Sequence, residues 1–186
     1  MMPEISLNIL DVAHNSIKAQ ASRIDITIDI QTQEDRMTIT ILDDGYGMSD
    51  DQVTQVVDPF FTTRTTRDVG LGVPFFQEAA EMTGGTFTIG SELGVGTEVK
   101  ACFVISSIDR MPLGDITETM HSLIVFNEGI RFYYRYRYDE LEFVLDTEEL
   151  REILGHEISF QKYEVSEFIR EYLSSNKQHV DMGKYI

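Results

Sequence analysis

Four side chains near the start of the chain, Asn8, Asp11, Asn15 and Lys18, fall three, four and three residues apart. On a helix that spacing sets them along one face. A carboxylate there can polarise a water, a carboxamide oxygen can ligate Mg²⁺, and an ammonium can neutralise phosphate. As a bare pattern the stripe also describes a solvated helix face. A second cluster, "DDGYG" at residues 43–47, closes an alternating segment and sets a carboxylate beside a G-x-G turn. A flat ring could lie against such a backbone, and Asp43 could accept from an exocyclic amine such as that of adenine. A third, "VGLGV" at residues 69–73, places Gly70 and Gly72 ahead of an apolar run with helical spacing. Backbone N–H groups at a helix entrance are unpaired and carry the positive end of the helix dipole, and glycine lets an anion come close. By itself, G-x-G before a helix is equally a tight turn. His14, three residues from Asp11, could pair with it, but reads more simply as a histidine on the helix surface.

The usual phosphate and cation loops are absent from the sequence. Nothing matches G-x-x-x-x-G-K-[ST], and the third glycine of a dinucleotide fingerprint is replaced by Phe75. The acidic "DDGYGMSDD" has its glycine too early for an EF-hand calcium loop.

The elements that must carry these groups are marked by periodicity. Residues 5–21 have Ile9, Val12, Ala13, Ile17 and Ala21 at the spacing of an amphipathic helix. "RIDITIDI" and "RMTITIL" alternate apolar and polar residues and read as half-buried strands. Residues 49–57 and 73–83 read as helices, the second with Pro74 in its first turn and Gly84–Gly85 at its end. "TFTIGSE" and "TEVKACFVIS" are strands around a turn at Gly94 and Gly96. A change of character at "DRMPLGD", residues 109–115, separates residues 1–108 from a smaller α+β region, 109–186. In that region Asp115 and Glu118 open one helix, and Asp146 and Glu149 open another that Gly155 closes. A last helix carries Val165, Phe168, Ile169, Tyr172 and Leu173 on one face. "IRFYYRYRY" and "ELEFVLD" read as a hairpin turning at Asp139–Glu140, with Arg137 opposite Glu142 and Arg131 opposite Glu148. The apolar faces of these three helices need a partner, either this hairpin or a second subunit, so a homodimer is one expectation.

Composition narrows the setting. The 186 residues, 42% hydrophobic and 10% aromatic, support one domain with a small appendage rather than a disordered chain. Cys102 is the single cysteine, which excludes an internal disulfide and a cysteine-based zinc cluster. No apolar run approaches the roughly 20 residues that span a bilayer. The opening "MMPEISLNIL" lacks the basic start and cleavage site of a signal peptide. The expectation is a cytoplasmic protein. The net charge is −17, with 6 basic against 16 acidic residues in 1–108 and 9 against 16 in 109–186. That surface repels DNA and RNA, whereas a single nucleotide needs only a few local cations, a metal ion or backbone amides.

The order of the clusters resembles that of the Bergerat-fold ATPases, the superfamily of gyrase, heat-shock chaperone, histidine kinase and mismatch-repair proteins, over residues 4–106. "HNSIKAQAS" is similar to the N box, which implies that Asn15 ligates Mg²⁺ and Lys18 contacts phosphate. "DDGYG" is similar to the G1 box, with Asp43 in the place of the adenine-reading aspartate and Gly45 and Gly47 as its glycines. "DPFFTTR" is similar to the F box, with Phe60, Phe61 and, where a lysine is usual, Arg64. Gly70, Leu71 and Gly72 of "VGLGV" match the G2 box, and "GVGTEV" the last glycine box with Thr97. The resemblance implies an α+β fold, a two-layer α/β sandwich in which a mixed sheet is covered on one face by helices that enclose ATP. The lid between Phe61 and Gly70 is short by family standards, and Asp68 stands where a glycine is common. Asp11, four residues before Asn15, stands where hydrolysing relatives have a glutamate base and histidine kinases an asparagine.

A self-contained histidine kinase needs a phosphoacceptor histidine before this domain. Few residues precede the first helix, and His121 in "MHSLI" does not resemble such a site. The implied protein is a stand-alone binder of ATP and Mg²⁺, similar to anti-sigma-factor serine kinases, acting as a kinase or ATPase on a separate protein and returning ADP. The alternative is a nucleotide-gated binding module with negligible turnover. A DNA-repair role, suggested by the N box, is opposed by the acidity.

Overall fold

The computed structural model describes residues 3–58 and 72–186. The chain forms α1 (Ile5–Lys18), β1 (Arg23–Gln31), β2 (Arg36–Asp43), α2 (Asp50–Val56), α3 (Gly72–Met82), β3 (Thr86–Glu92) and β4 (Gly96–Val104). It continues through α4 (Ile116–Phe126), β5 (Arg131–Tyr138), β6 (Leu141–Asp146), α5 (Thr147–Leu154) and α6 (Tyr163–Asp181). Local chemistry sets several of these bounds. Ser49 and Gln52 form a capping box on α2, Asp115 accepts from the Glu118 amide at the start of α4, and Asp146 caps α5. Gly84, at a φ of +83°, lets the chain turn out of α3.

The strands make one mixed sheet in the order β3-β4-β2-β1-β5-β6. All neighbours are antiparallel except β1 and β5, which run parallel. Alternation decides the faces: Ile24, Ile26, Ile28 and Ile30 of β1 all have zero exposure, as do Met37 and Ile39 of β2. Burying each such side chain is worth about 1.5–3 kcal/mol, so this face fixes the register. Helices α1, α3 and α6 pack on the sheet and α4 packs on α1 and α6, while the opposite face carries Asp25, Thr27, Thr38 and Lys100 and is solvated. The α+β two-layer sandwich is therefore the observed fold.

The hairpin turns at Asp139–Glu140, with Arg137 opposite Glu142. It joins the main sheet, because β5 lies beside β1 over Arg23–Ile30. The apolar faces of α4 and α6 close on each other, and α6 also packs on β5 and β6. One expected pairing is corrected: Arg131 binds Asp146, at 2.6 Å, and not Glu148. The ladder ends at Tyr133–Asp146 and the chain then turns into α5, so counting residues across the hairpin stops working there. Segment 109–115 folds back on α1, where the carbonyls of Pro112 and Leu113 accept from the amides of Ile5 and Ser6. No helix among the described residues is long and apolar enough to cross a membrane.

Candidate functional site

Asp43 ends β2 at the floor of a cavity between the sheet and α1, and is 7% exposed. Two donors hold its carboxylate: the Ser16 hydroxyl to Oδ2 at 2.5 Å and the Gly45 amide to Oδ1 at 2.9 Å. The turn that follows is built for close approach. A Cβ on Gly45 would lie 2.8 Å from both Cβ and O of Ala19, and one on Gly47, at φ +70°, would lie 1.9 Å from the Glu92 carbonyl. The neighbouring Asp44 faces the other way. Burial would raise its pKa, but the hydroxyl of Ser22 and the amides of Ser22 and Arg23 hold it below the ordinary carboxylate range.

Apolar side chains line most of the cavity: Val12, Ile41, Met48, Val73, Ile89 and Val99. The polar lining is Asn15, Ser16, Lys18, Asp43, Tyr46 and Thr97. Thr97 stands opposite Asp43 in the β2–β4 ladder. Ser91 gives its single proton to the Gly96 carbonyl, so the Thr97 hydroxyl, 2.8 Å away, donates to Ser91. The Met48 amide donates to the same Ser91 oxygen.

The stripe on α1 is not a uniformly wet face. Lys18 is exposed, Asn15 and Asp11 are half-buried, and Asn8 is fully buried. Asp11 lies against the entrance of α3, since a Cβ on Gly72 would come within 2.7 Å of its Cβ and 3.2 Å of its Oδ2. The fold thus collects Asp11, Asn15, Lys18, Asp43, Gly45, Gly47, Gly72 and Thr97 at one end of the helix layer. His14 is exposed. Phe60, Arg64, Gly70 and Leu71 lie outside the described residues. His121 is buried, with Nε2 bonded to Ser166, between α4 and α6.

The family model of histidine kinase-, DNA gyrase B-, and HSP90-like ATPases matches residues 4–106. The chain belongs to this family. It carries that family's ATP-binding domain, as histidine kinases do. It is 29% identical over 99 residues to sporulation kinase D of Bacillus subtilis (strain 168), covering 53% of this chain and 19% of that protein. It is 33% identical over 91 residues to the sensor protein DegM of Bacillus sp. (strain B21-2), covering 49% and 24%. The chain thus spans about a fifth to a quarter of the length of these relatives. Among solved structures, the ADP-complexed MutL ATPase domain of Aquifex aeolicus superposes with a TM-score of 0.51 at 14% identity, covering 83% of this chain and 70% of that one. That likeness is one of fold. It covers more of the chain than the family model does, so it reaches beyond residue 106.

Within this ATPase domain, sequence reasoning missed Ser16 and Ser91. A signal was present for both. Ser16 continues the core-facing series Ile9, Val12, Ala13 of α1, and Ser91 continues Phe87, Ile89 of β3. A hydroxyl at such a position needs a partner inside the protein.

Proposed function

We propose that this domain takes up ATP with Mg²⁺ and acts as a kinase or ATPase on a separate protein partner. The observation that carries the proposal is Asp43, a buried carboxylate held in one orientation by Ser16 and Gly45 at the floor of an apolar cavity. A carboxylate only accepts, so it favours a ring bearing an exocyclic amine, as adenine does. The apolar walls suit the ring faces, and Gly47 permits backbone approach.

The polar groups of α1 suit the other end of the nucleotide. Lys18 neutralises phosphate charge. Asn15 offers a hard oxygen ligand, which suits Mg²⁺, an ion that keeps several waters and needs few protein ligands beside phosphate oxygens. Asn15 would hold the ion, which supplies charge neutralisation at the phosphates. Gly72 opens α3, whose entrance suits a phosphate; Gly70, Leu71, Phe60 and Arg64, outside the described residues, are assigned to the nucleotide on the order of the family's motifs. Asp11, one turn from Asn15, serves as the base. It takes the proton of a partner's hydroxyl or of a water as that oxygen bonds to the terminal phosphorus, and ADP leaves with the electron pair of the broken P–O bond.

Thermal unfolding measured against nucleotide is the direct test. ATP with Mg²⁺ at about a hundred times its Kd adds about 2.7 kcal/mol, a rise in Tm of about 5–10 °C. Absence of any rise at millimolar nucleotide rejects the proposal. Phosphate release that Asp11→Asn abolishes identifies an enzyme, whereas tight binding without release identifies a nucleotide-gated binding module.

A further inference from the structure

The face of α1 that carries Asp11 continues to Asn8, one turn toward the helix start. Asn8 is fully buried, and neither its Oδ1 nor its Nδ2 has a hydrogen-bond partner among the described residues. No other enclosed side-chain nitrogen or oxygen among the described residues lacks a partner. Ser6 binds Glu4, Thr83 bonds both the Ala80 carbonyl and the Val104 amide, and Asp181 accepts from Tyr136, Lys177 and Gly183. A leucine at position 8 would avoid the desolvation that a bare carboxamide suffers. A buried group left in this condition calls for a reason outside packing.

Its neighbour supplies one. The Asp11 carboxylate also makes no hydrogen bond or ion pair with the described residues, and Gly72 bounds it on one side. Residues three apart on a helix hold their Cβ atoms about 5–6 Å from each other, a span that a single water bridges. We propose that Asn8 is a positioning residue for Asp11 and acts through one buried water. The water donates to Asn8 Oδ1, accepts from Asn8 Nδ2–H, and gives its second proton to the Asp11 carboxylate. Both amide atoms are then satisfied. One carboxylate lone pair is tied down, which turns the remaining ones toward Asn15, where the reacting oxygen belongs. Aspartate, with one methylene fewer than glutamate, depends more on such an anchor because its reach is shorter. The proposal rests on Asp11 being the base.

The test compares the full chain with Asn8→Leu and Asn8→Ser, following thermal stability, nucleotide affinity, and the pH profile of Mg·ATP-dependent phosphate release. Asn8→Leu is expected to hold or raise Tm, leave nucleotide affinity unchanged, and lower the turnover rate about tenfold through misplacement of the base. It also removes a donor from the carboxylate, so the acidic limb of the profile moves to higher pH. Asn8→Ser, which keeps a donor and an acceptor and leaves room for water, restores part of the rate. Turnover and limb unchanged in Asn8→Leu overturn the proposal, and so does a drop in Tm with parallel loss of nucleotide binding, which marks a structural role. A wild-type chain that binds Mg·ATP without releasing phosphate overturns it while leaving the nucleotide site intact. A chain that binds no nucleotide removes the reading beneath it.

Discussion

Replacing Asp43 with asparagine should reverse the base preference of the site rather than abolish binding. In the folded chain the Gly45 amide donates to Oδ1 and the Ser16 hydroxyl approaches Oδ2. An asparagine in the same rotamer is oriented by the first contact. Its carbonyl must face Gly45, because an NH₂ there would meet another donor. The NH₂ then occupies the Oδ2 position, where Ser16 can accept from it. Both amide atoms keep partners, so the unliganded variant should stay within about 1 kcal/mol of the wild type.

The ligand experiences a larger change. Adenine would have presented its amine to a carboxylate oxygen and now meets an NH₂. The lost charge-assisted bond is worth about 1.5–3 kcal/mol, and a donor left facing a donor in a buried site costs about 1–3 kcal/mol more. Together that is about 2.5–6 kcal/mol, or a weakening of between about sixty-fold and about twenty-thousand-fold. A purine with a keto oxygen at the same ring position has the opposite profile. Inosine triphosphate meets repulsion from Asp43 and acceptance from the asparagine. Calorimetric titration of both proteins with ATP and ITP reads the comparison directly, with Tm confirming that the variant is folded. Wild type should prefer ATP, and Asp43→Asn should prefer ITP. An Asp43→Asn chain that binds ATP within about threefold of wild type, or that loses both nucleotides equally, refutes the assigned orientation.

Three further outcomes follow from the same structure. Ser16→Ala strips a buried carboxylate of its 2.5 Å donor, so denaturation should show a loss of about 2 kcal/mol, or about 4–8 °C in Tm; undiminished stability contradicts the geometry. Gly47→Ala forces a Cβ to 1.9 Å from the Glu92 carbonyl at a φ of +70° and should cost more than about 3 kcal/mol, whereas Gly90→Ala, with nothing within 4 Å, should fold normally. Acid should unfold the chain through its partnered carboxylates: Arg131 holds Asp146 below the usual range, Arg170 does so for Glu118, and Thr32 for Asp139. Their folded pKa values lie below the unfolded ones, so this stability is complete above the ordinary carboxylate range of about 4 and is lost as pH falls through the folded values. Urea midpoints at descending pH should drop there, less steeply in Asp146→Asn, and an identical slope in that variant would count against the Arg131 pairing.

Much of the sheet was readable because burial follows a period of two. The isoleucines of β1 and the Met37–Ile41 series of β2 announce which face is covered. What alternation does not announce is the neighbour. Phe132, Tyr134, Tyr136 and Tyr138 show that β5 has a buried face, but only the tertiary structure sets that strand parallel to β1 and so extends one sheet across the expected boundary. The Arg131 pairing failed for a related reason. Asp146 both ends β6 and caps α5, so it stands where ladder counting gives way to helix geometry. In the candidate site, the order of the polar clusters singled out Asn15 and Asp43, and both line one cavity, although 27 residues separate Ser16 from its partner Asp43.

Ser16 and Ser91, which escaped notice, and Asn8, read only as part of a polar stripe, share one property: they are polar at positions whose periodicity faces the core. Such a residue is an unfinished statement in the sequence, because burying it without a partner is costly. Ser16 is completed within the chain by Asp43, and Ser91 by Gly96, Thr97 and Met48, so both belong to the machinery that holds the cavity in shape. Asn8 finds no such completion among the described residues. The difference separates two kinds of buried polar residue that the sequence writes alike. One kind stabilises the unliganded fold, and its removal lowers Tm. The other kind is tolerated at a stability cost for what it does with solvent or ligand, and its apolar replacement should give a firmer but poorer protein. Measuring Tm for Ser16→Ala and Asn8→Leu side by side therefore assigns each to its kind: a fall for the first with none for the second sustains the distinction, and a fall in both collapses it.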